Sequence, residues 1–248
     1  MIFLAEAFTK PKMMMRLAKL GFTQSYTYFT WRNTKQELID YLTELTRGEA
    51  KEYYRPNFFT NTPDINPFYL QTGGRAAFII RATLAATLAG SYGIYSGFEL
   101  CEATPLADRE EYLDSEKYEV KRRDWNAEGN IRVHLTKLNC IRQENAAFHY
   151  LQGLTFYNAD NDQVLVYGKM TPLRDNFVLV AVNLDPLRGQ SSSFELPLWE
   201  FGLPDSGTLD VEDLLDGGRF SLTGKHQTIA FDPASRPCVI WRLTKAHA

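Results

Sequence analysis

Two carboxylates sit just beyond apolar stretches that read as β-strands. Glu6 ends the run Ile2-Phe3-Leu4-Ala5 and leads straight into Ala7-Phe8-Thr9-Lys10-Pro11, while Asp64 closes Asn61-Thr62-Pro63-Asp64 after a strand-like stretch at 53–60. Parallel strands direct all their C-terminal ends to one face, so acids placed there open on a common cleft. Carboxylates flanking a scissile bond suit glycosyl transfer. One is protonated to help the leaving group depart, and others stay ionised to attack or to steady an oxocarbenium-like transition state. The same spacing also serves helix caps and loop anchors, and Asp64 after Pro63 fits an Asx-type turn.

Tyr26, Tyr28, Phe29, Trp31, Phe58, Phe59 and Tyr69 cluster near the same strand ends. Aromatic faces make platforms for sugar rings, but strand alternation sends every second residue to the other side, so about half of such a set belongs to the core. Met13-Met14-Met15 reads as helix packing. His134, His149, His226 and His247 form no motif, and His134, one residue off the apolar face of its helix, reads as an edge histidine. Lys117, within Asp114-Ser115-Glu116-Lys117-Tyr118, lies in a long polar loop that could fold over the cleft; by composition alone it is a solvated charge cluster.

The elements that must position these groups alternate over the first 150 residues. Pro11 suits the first turn of a helix over 11–20 closed by Gly21, and a Tyr/Thr/Phe-rich strand follows at 22–29. Asn33 or Thr34 can cap a helix with Gln36 or Glu37 as capping-box partner, and Leu38, Tyr41, Leu42 and Leu45 supply its apolar face. A densely apolar helix over 75–89 leads to a short buried strand at 93–97. The polar stretch 99–130 then precedes a helix carrying Ile131, Leu135, Leu138 and Ile141. Strands alternating with crossover helices predict a parallel sheet, in a barrel or doubly wound fold. From about 153 the pattern becomes β-rich, with strands expected at 154–157, 164–169, 177–183, 192–196, 219–222, 227–231 and 238–243. That predicts an antiparallel β-sandwich of about 90 residues after the α/β part.

Bulk properties narrow the function classes. At 248 residues, with 44% hydrophobic and 23% charged residues and a net charge of −3, the chain reads as a globular protein without a Lys/Arg run, which argues against nucleic acid. Cys101, Cys140 and Cys238 lack metal-ligand spacing and read as reduced thiols, so neither a metal nor a cofactor is expected. No signal-type segment is apparent, and the longest apolar window, 76–90, carries Arg81 and is too short to span a bilayer. A cytoplasmic protein without membrane contact is expected.

Several stretches together resemble one family, the α-1,4-glucan:maltose-1-phosphate maltosyltransferases of the α-amylase superfamily. They include Phe3-Leu4-Ala5-Glu6-Ala7-Phe8-Thr9, the segment from Gly21 through Tyr26-Thr27-Tyr28-Phe29-Thr30-Trp31-Arg32, Arg55-Pro56-Asn57-Phe58-Phe59-Thr60-Asn61-Thr62-Pro63-Asp64, and Leu70-Gln71-Thr72-Gly73-Gly74-Arg75. Tyr95-Ser96-Gly97-Phe98-Glu99-Leu100, Glu111-Tyr112-Leu113-Asp114-Ser115-Glu116-Lys117-Tyr118 and Val182-Asn183-Leu184-Asp185-Pro186 continue the set in the family's order. Where amylases commonly carry Asn-His-Asp, this sequence has Asn61-Thr62-Pro63-Asp64, as the maltosyltransferases do.

The resemblance implies the C-terminal half of a (β/α)₈ barrel, strands five to eight, over 1–150, followed by a β-sandwich domain over 151–248. It implies transfer of a maltosyl unit from α-maltose 1-phosphate to the non-reducing end of an α-1,4-glucan with retention, and a homodimeric intact enzyme. By position Glu6 resembles the general acid/base and Asp64 the transition-state-stabilising carboxylate, while Lys117 and Tyr118 resemble the pair that contacts the donor. The family's aspartate nucleophile lies on the barrel strand before the one that bears the acid/base, so the stretch at hand is expected to be a part of the enzyme that is inactive alone. The unpaired edges of such a half-barrel, at 2–5 and 93–97, are expected to make it poorly soluble by itself. A non-catalytic glucan-binding or assembly module, and a part of a hydrolase or isomerase of the superfamily, are the alternatives.

Overall fold

The computed structural model describes residues 1–115 and 120–246. Its first part contains β1 (Leu4–Ala5), α1 (Pro11–Lys19), β2 (Gln24–Tyr26), α2 (Lys35–Arg47), α3 (Ala50–Tyr53) and β3 (Pro56–Phe59). It continues with α4 (Phe68–Thr72), α5 (Gly74–Leu88), β4 (Ser91–Gly93) and α6 (Arg132–Glu144). The four strands form one sheet in sequential order, every neighbouring pair parallel. Helical crossovers are what parallel pairing demands, and the alternating pattern of the sequence reflects it.

Local chemistry explains most boundaries. Pro11 opens α1, where its missing N–H is no loss. Thr34 and Glu37 form a reciprocal capping box: Thr34 Oγ1 accepts from the Glu37 amide at 3.3 Å, and Glu37 Oε2 accepts from the Thr34 amide at 3.1 Å. Two expectations are displaced. The strand expected at 22–29 is short, because Thr27 caps a 3₁₀ turn over Tyr28–Trp31. The last parallel strand lies at Ser91–Gly93 rather than 93–97, and it is half-buried because it forms an edge of the sheet.

The second part is antiparallel. It comprises β5 (Leu154–Tyr157), β6 (Val164–Met170), β7 (Phe177–Asn183), β8 (Gln190–Glu195), β9 (Thr208–Asp213), β10 (Arg219–Thr223), β11 (His226–Phe231) and β12 (Cys238–Lys245). Six strands pair in the order β10-β9-β12-β7-β6-β5, and β11-β8 form a separate ribbon over the apolar layer built from Val166, Leu179, Phe194, Val211, Ile229 and Trp241. β9 has no counterpart among the strands expected from sequence. Leu209, Val211 and Asp213 alternate inward, but Asp210 and Glu212 between them make the stretch read as a polar loop.

α5 joins the two parts. All of its residues from Ala76 to Leu88 are buried, so it lacks the polar stripe of a surface helix. Phe58 of the parallel sheet and Val178, Val180 and Ile240 of the antiparallel sheet share one apolar cluster with Phe78, Ile80 and Leu84 of this helix. Polar groups cross the seam as well. Tyr69 donates to Leu184 O at 2.8 Å, Lys35 Nζ to Ala159 O at 2.7 Å, and Thr87 Oγ1 meets the Tyr167 hydroxyl at 2.5 Å. Lys169 is fully buried, and its ammonium donates to Tyr150 O, Leu151 O and Gln152 O in the segment that connects the parts. Among the described residues no helix is long and apolar enough to cross a membrane, and no group of His, Cys, Asp and Glu could hold a metal ion. All three cysteines are free.

Candidate active site

The C-terminal edge of the parallel sheet gathers the residues of interest. Glu6 follows β1 directly and is exposed. Asp64 leaves the same edge by way of β3. Thr62 and Ile65 exchange both backbone hydrogen bonds at 3.1 Å, so Thr62-Pro63-Asp64-Ile65 is a closed turn with proline at its second position. Thr62 Oγ1 also accepts from the Asp64 amide at 3.2 Å, and the buried threonine thereby presents an exposed carboxylate at the tip.

An aromatic file runs across the same part of the sheet. Phe8 places its edge on Tyr26 at 5.8 Å and on Trp31 at 5.2 Å. Tyr26 stacks on Phe59 at 4.2 Å, and the Phe59 ring covers Gly93, where a Cβ would fall 2.4 Å from the ring. Only a residue without a side chain lets the ring lie against β4 in this way. Burial, and after it the negative charge of Glu6, hold the Tyr26 phenol above its usual range, which places the carboxylate within electrostatic reach of this file.

Strand alternation divides the aromatic set. Phe58 points to the opposite face and stacks on Phe29 at 4.3 Å within the core, and Tyr69 is turned toward the antiparallel part. Tyr26, Trp31 and Phe59 share the file with Phe8, whereas Tyr28 packs against the core cluster.

Three loops beyond the strand ends are tied together. Asn61 Oδ1 accepts from Thr60 Oγ1 at 3.0 Å and from the Tyr95 amide at 2.9 Å, while its Nδ2 donates to the Tyr112 hydroxyl at 2.6 Å. Glu110 accepts from Trp31 Nε1 at 3.0 Å and from the Phe68 amide at 3.0 Å, and its carbonyl accepts from the Asn66 amide at 2.8 Å. Underneath, the buried Arg81 donates to Phe29 O and Arg32 O, both at 2.6 Å, and fixes the turn that carries Trp31. Its guanidinium lies 3.9 Å from the Phe29 ring centroid, and burial brings its pKa down to about 10. Glu110 and Arg81 carry no sequence signal of their own. One sits in an aperiodic polar stretch, and the other looks like an interruption of an apolar helix.

Lys117 and Tyr118 lie outside the described residues. Among the described residues, Glu102 accepts from Arg123 Nε at 3.0 and 3.1 Å and pairs with Lys121 at 3.3 Å. This cluster packs on Gly97, whose φ of +97° and closeness to Glu102 Oε2 exclude a side chain. The arrangement offers acids and aromatic faces at one sheet edge, which is the equipment for holding a sugar and moving a proton at its anomeric oxygen.

Comparison with known proteins gives concordant results. The family model described as GLGE, C-terminal, matches residues 156–243. The α-1,4-glucan:maltose-1-phosphate maltosyltransferase of Cereibacter sphaeroides is 57% identical over 98% of this chain and 36% of its own length. That of Rhodospirillum rubrum is 58% identical over 98% of this chain and 35% of its own length. The Pseudomonas aeruginosa protein of the same name is 56% identical over 100% of this chain and 37% of its own length. The chain thus spans about a third of the length of these curated relatives. Among solved structures, the α-amylase of Geobacillus thermoleovorans complexed with acarbose superposes with a TM-score of 0.72 at 15% identity, over 99% of this chain and 54% of that one. The γ-CGTase of alkalophilic Bacillus clarkii gives 0.68 at 18% identity, over 99% and 36%. These likenesses establish an α-amylase-type fold.

Proposed function

This chain belongs to the α-1,4-glucan:maltose-1-phosphate maltosyltransferase family, of which it is a C-terminal part, and from that premise we propose that it supplies the acid/base side of a maltosyl-transfer site. The four parallel strands are read as strands five to eight of a (β/α)₈ barrel over 1–150, with 151–248 as the β-sandwich domain. The donor is α-maltose 1-phosphate and the acceptor an α-1,4-glucan. In a retaining double displacement, an aspartate from the rest of the enzyme attacks the anomeric carbon as Glu6 protonates the departing phosphate oxygen. Glu6 then takes the proton of the acceptor's 4-hydroxyl as that oxygen displaces the aspartate. Asp64 steadies the positive charge that develops on the ring in the transition state of each step. Lys117 and Tyr118 contact the donor.

The observation that supports the reading is that Glu6 and Asp64 follow β1 and β3 of one parallel sheet, whose β2 and β3 carry the Tyr26–Phe59 stack. The experiment is phosphate release from α-maltose 1-phosphate in the presence of α-1,4-glucan, measured for the complete enzyme and for its E6Q and D64N variants. Each substitution is expected to lower kcat by about 10²–10⁴-fold. Activity within tenfold of the parent in either variant would remove that residue from its role. The 248-residue chain by itself, about a third of its relatives' length, is expected to release no phosphate above background.

A further inference from the structure

A cavity of about 190 Å³ opens at the seam where α5 and α6 meet the antiparallel part, lined among others by Arg75, His134, Lys137, Asp216, Arg236 and Cys238. It is smaller than the pockets that hold drug-sized ligands. Its polar wall is dominated by cations. Arg75 Nε donates to Gly129 O at 3.1 Å and Lys137 Nζ to Leu215 O at 2.8 Å, contacts that leave their positive charge undiminished. Arg236 meets Asp213 Oδ2 at 2.9 Å through Nη2. Its Nε is buried without a hydrogen-bond partner, since Asp216 Oδ2 stands 3.6 Å away, beyond hydrogen-bond distance. A buried donor of a charged group left in this state calls for an explanation.

His134 reports the field inside the cavity. One ring nitrogen, Nε2, is 3.0 Å from Thr83 Oγ1, and the imidazole is pulled down to about 4, first by burial and then by the charges of Arg75 and Lys137. The environment is therefore positive and partly desolvated, which strengthens any electrostatic contact formed there.

We propose that this cavity is a binding site for a small oxyanion of the phosphate type, held by Arg75, Lys137 and the free Nε–H of Arg236 across the seam between the α/β and β parts. Guanidinium and ammonium groups lining one cavity match the acceptor oxygens of such an anion in charge and hydrogen-bonding type. The anion would add an ionic link between the helices and the β-domain beside their shared apolar cluster, so its occupancy would stabilise the junction. The ligand could be free phosphate or the phosphoryl group of a small metabolite. The 190 Å³ volume favours the former.

The test is a titration of the complete enzyme with inorganic phosphate against chloride at matched ionic strength, followed by the His134 Cε1–H resonance and the thermal midpoint. A saturable shift of the resonance, a rise in the His134 pKa and a rise in the midpoint are expected. K137Q and R236Q should each weaken the apparent affinity about tenfold. Arg236 also braces Asp213, so R236Q could disturb folding, whereas Lys137 is exposed on α6 and K137Q keeps the test decisive. A second titration with glucose 6-phosphate separates the sources: weaker binding than phosphate assigns the free anion, and tighter binding assigns a phosphorylated metabolite. A response that is linear in phosphate, equalled by chloride or unchanged in K137Q would overturn the site.

Discussion

Trp31 Nε1 donates to Glu110 Oε2 at 3.0 Å, and this bond joins the turn after β2 to the long loop after β4. The other oxygen of the same carboxylate accepts from the Phe68 amide at the start of α4, so one side chain fastens three connections beyond the strands of the sheet. Rigid strands set where these loops begin, while Glu110 sets where their tips meet. Arg81 and Asn61 perform the same task from below and from the side.

Replacing Glu110 by alanine should therefore loosen loops that are distant in sequence. Trp31 Nε1 and the Phe68 amide both lose their acceptor, at a cost of about 1–3 kcal/mol. Faster hydrogen exchange is expected together at 28–32 and 66–72, with the antiparallel part unaffected. Exchange confined to one of the two segments would show that Glu110 does not couple them.

Acid should destabilise the chain through His134. In the native state its pKa is pulled down to about 4, against about 6.5 in an unfolded chain. Above pH 6.5 the imidazole is neutral in both states and adds no slope. Between about 6.5 and 4 the unfolded chain binds a proton that the native one does not, so native stability falls as the pH falls. Urea midpoints measured across this window should drop less for H134Q than for the parent. Identical slopes would assign the acid sensitivity elsewhere.

The sequence makes some of this legible and conceals the rest for identifiable reasons. The capping pair Thr34–Glu37 is a local signal that depends on a few neighbours, and it appears where its motif predicts. The antiparallel strands are mostly readable because apolar runs recur between turn residues, and β9 escapes because acids occupy its outward positions. α5 reads simply as apolar. That it lies between two sheets is a tertiary fact with no periodic trace. Glu110, Arg81 and Arg236 act across separations of tens of residues, and nothing near them in sequence announces their partners.

Lys169 gives a second pH dependence, of opposite range. Burial lowers its pKa to about 7, so above that pH the unfolded chain keeps a proton that the native amine gives up. Stability on this account rises with pH from about 7 toward the ordinary lysine value near 10.4. K169M should abolish that rise. It should also cost about 2–4 kcal/mol at pH 6, where the ammonium otherwise satisfies the carbonyls of Tyr150, Leu151 and Gln152. Unfolding curves of both proteins at pH 6 and pH 9 check this. A K169M variant as stable as the parent at pH 6 would mean that those carbonyls find other donors.

Gly93 connects the sheet to the aromatic file, and its substitution tests whether that file is a packed unit. A Cβ at this position would fall 2.4 Å from Phe59 Cζ, and the Phe59 ring is stacked against Tyr26 at 4.2 Å. G93A must therefore displace Phe59, and with it Tyr26, on the side of the sheet where Glu6 lies. Overpacking of this kind costs about 1–3 kcal/mol. Shrinking the ring should relieve it, so in a double-mutant cycle G93A combined with F59L should be more stable than the two single losses predict. A change in the near-ultraviolet signal of the tyrosines should accompany G93A alone. Strict additivity of the two substitutions would mean that Phe59 swings clear of β4 without disturbing Tyr26, and Phe59 would then stand apart from the Phe8–Tyr26 and Phe8–Trp31 contacts.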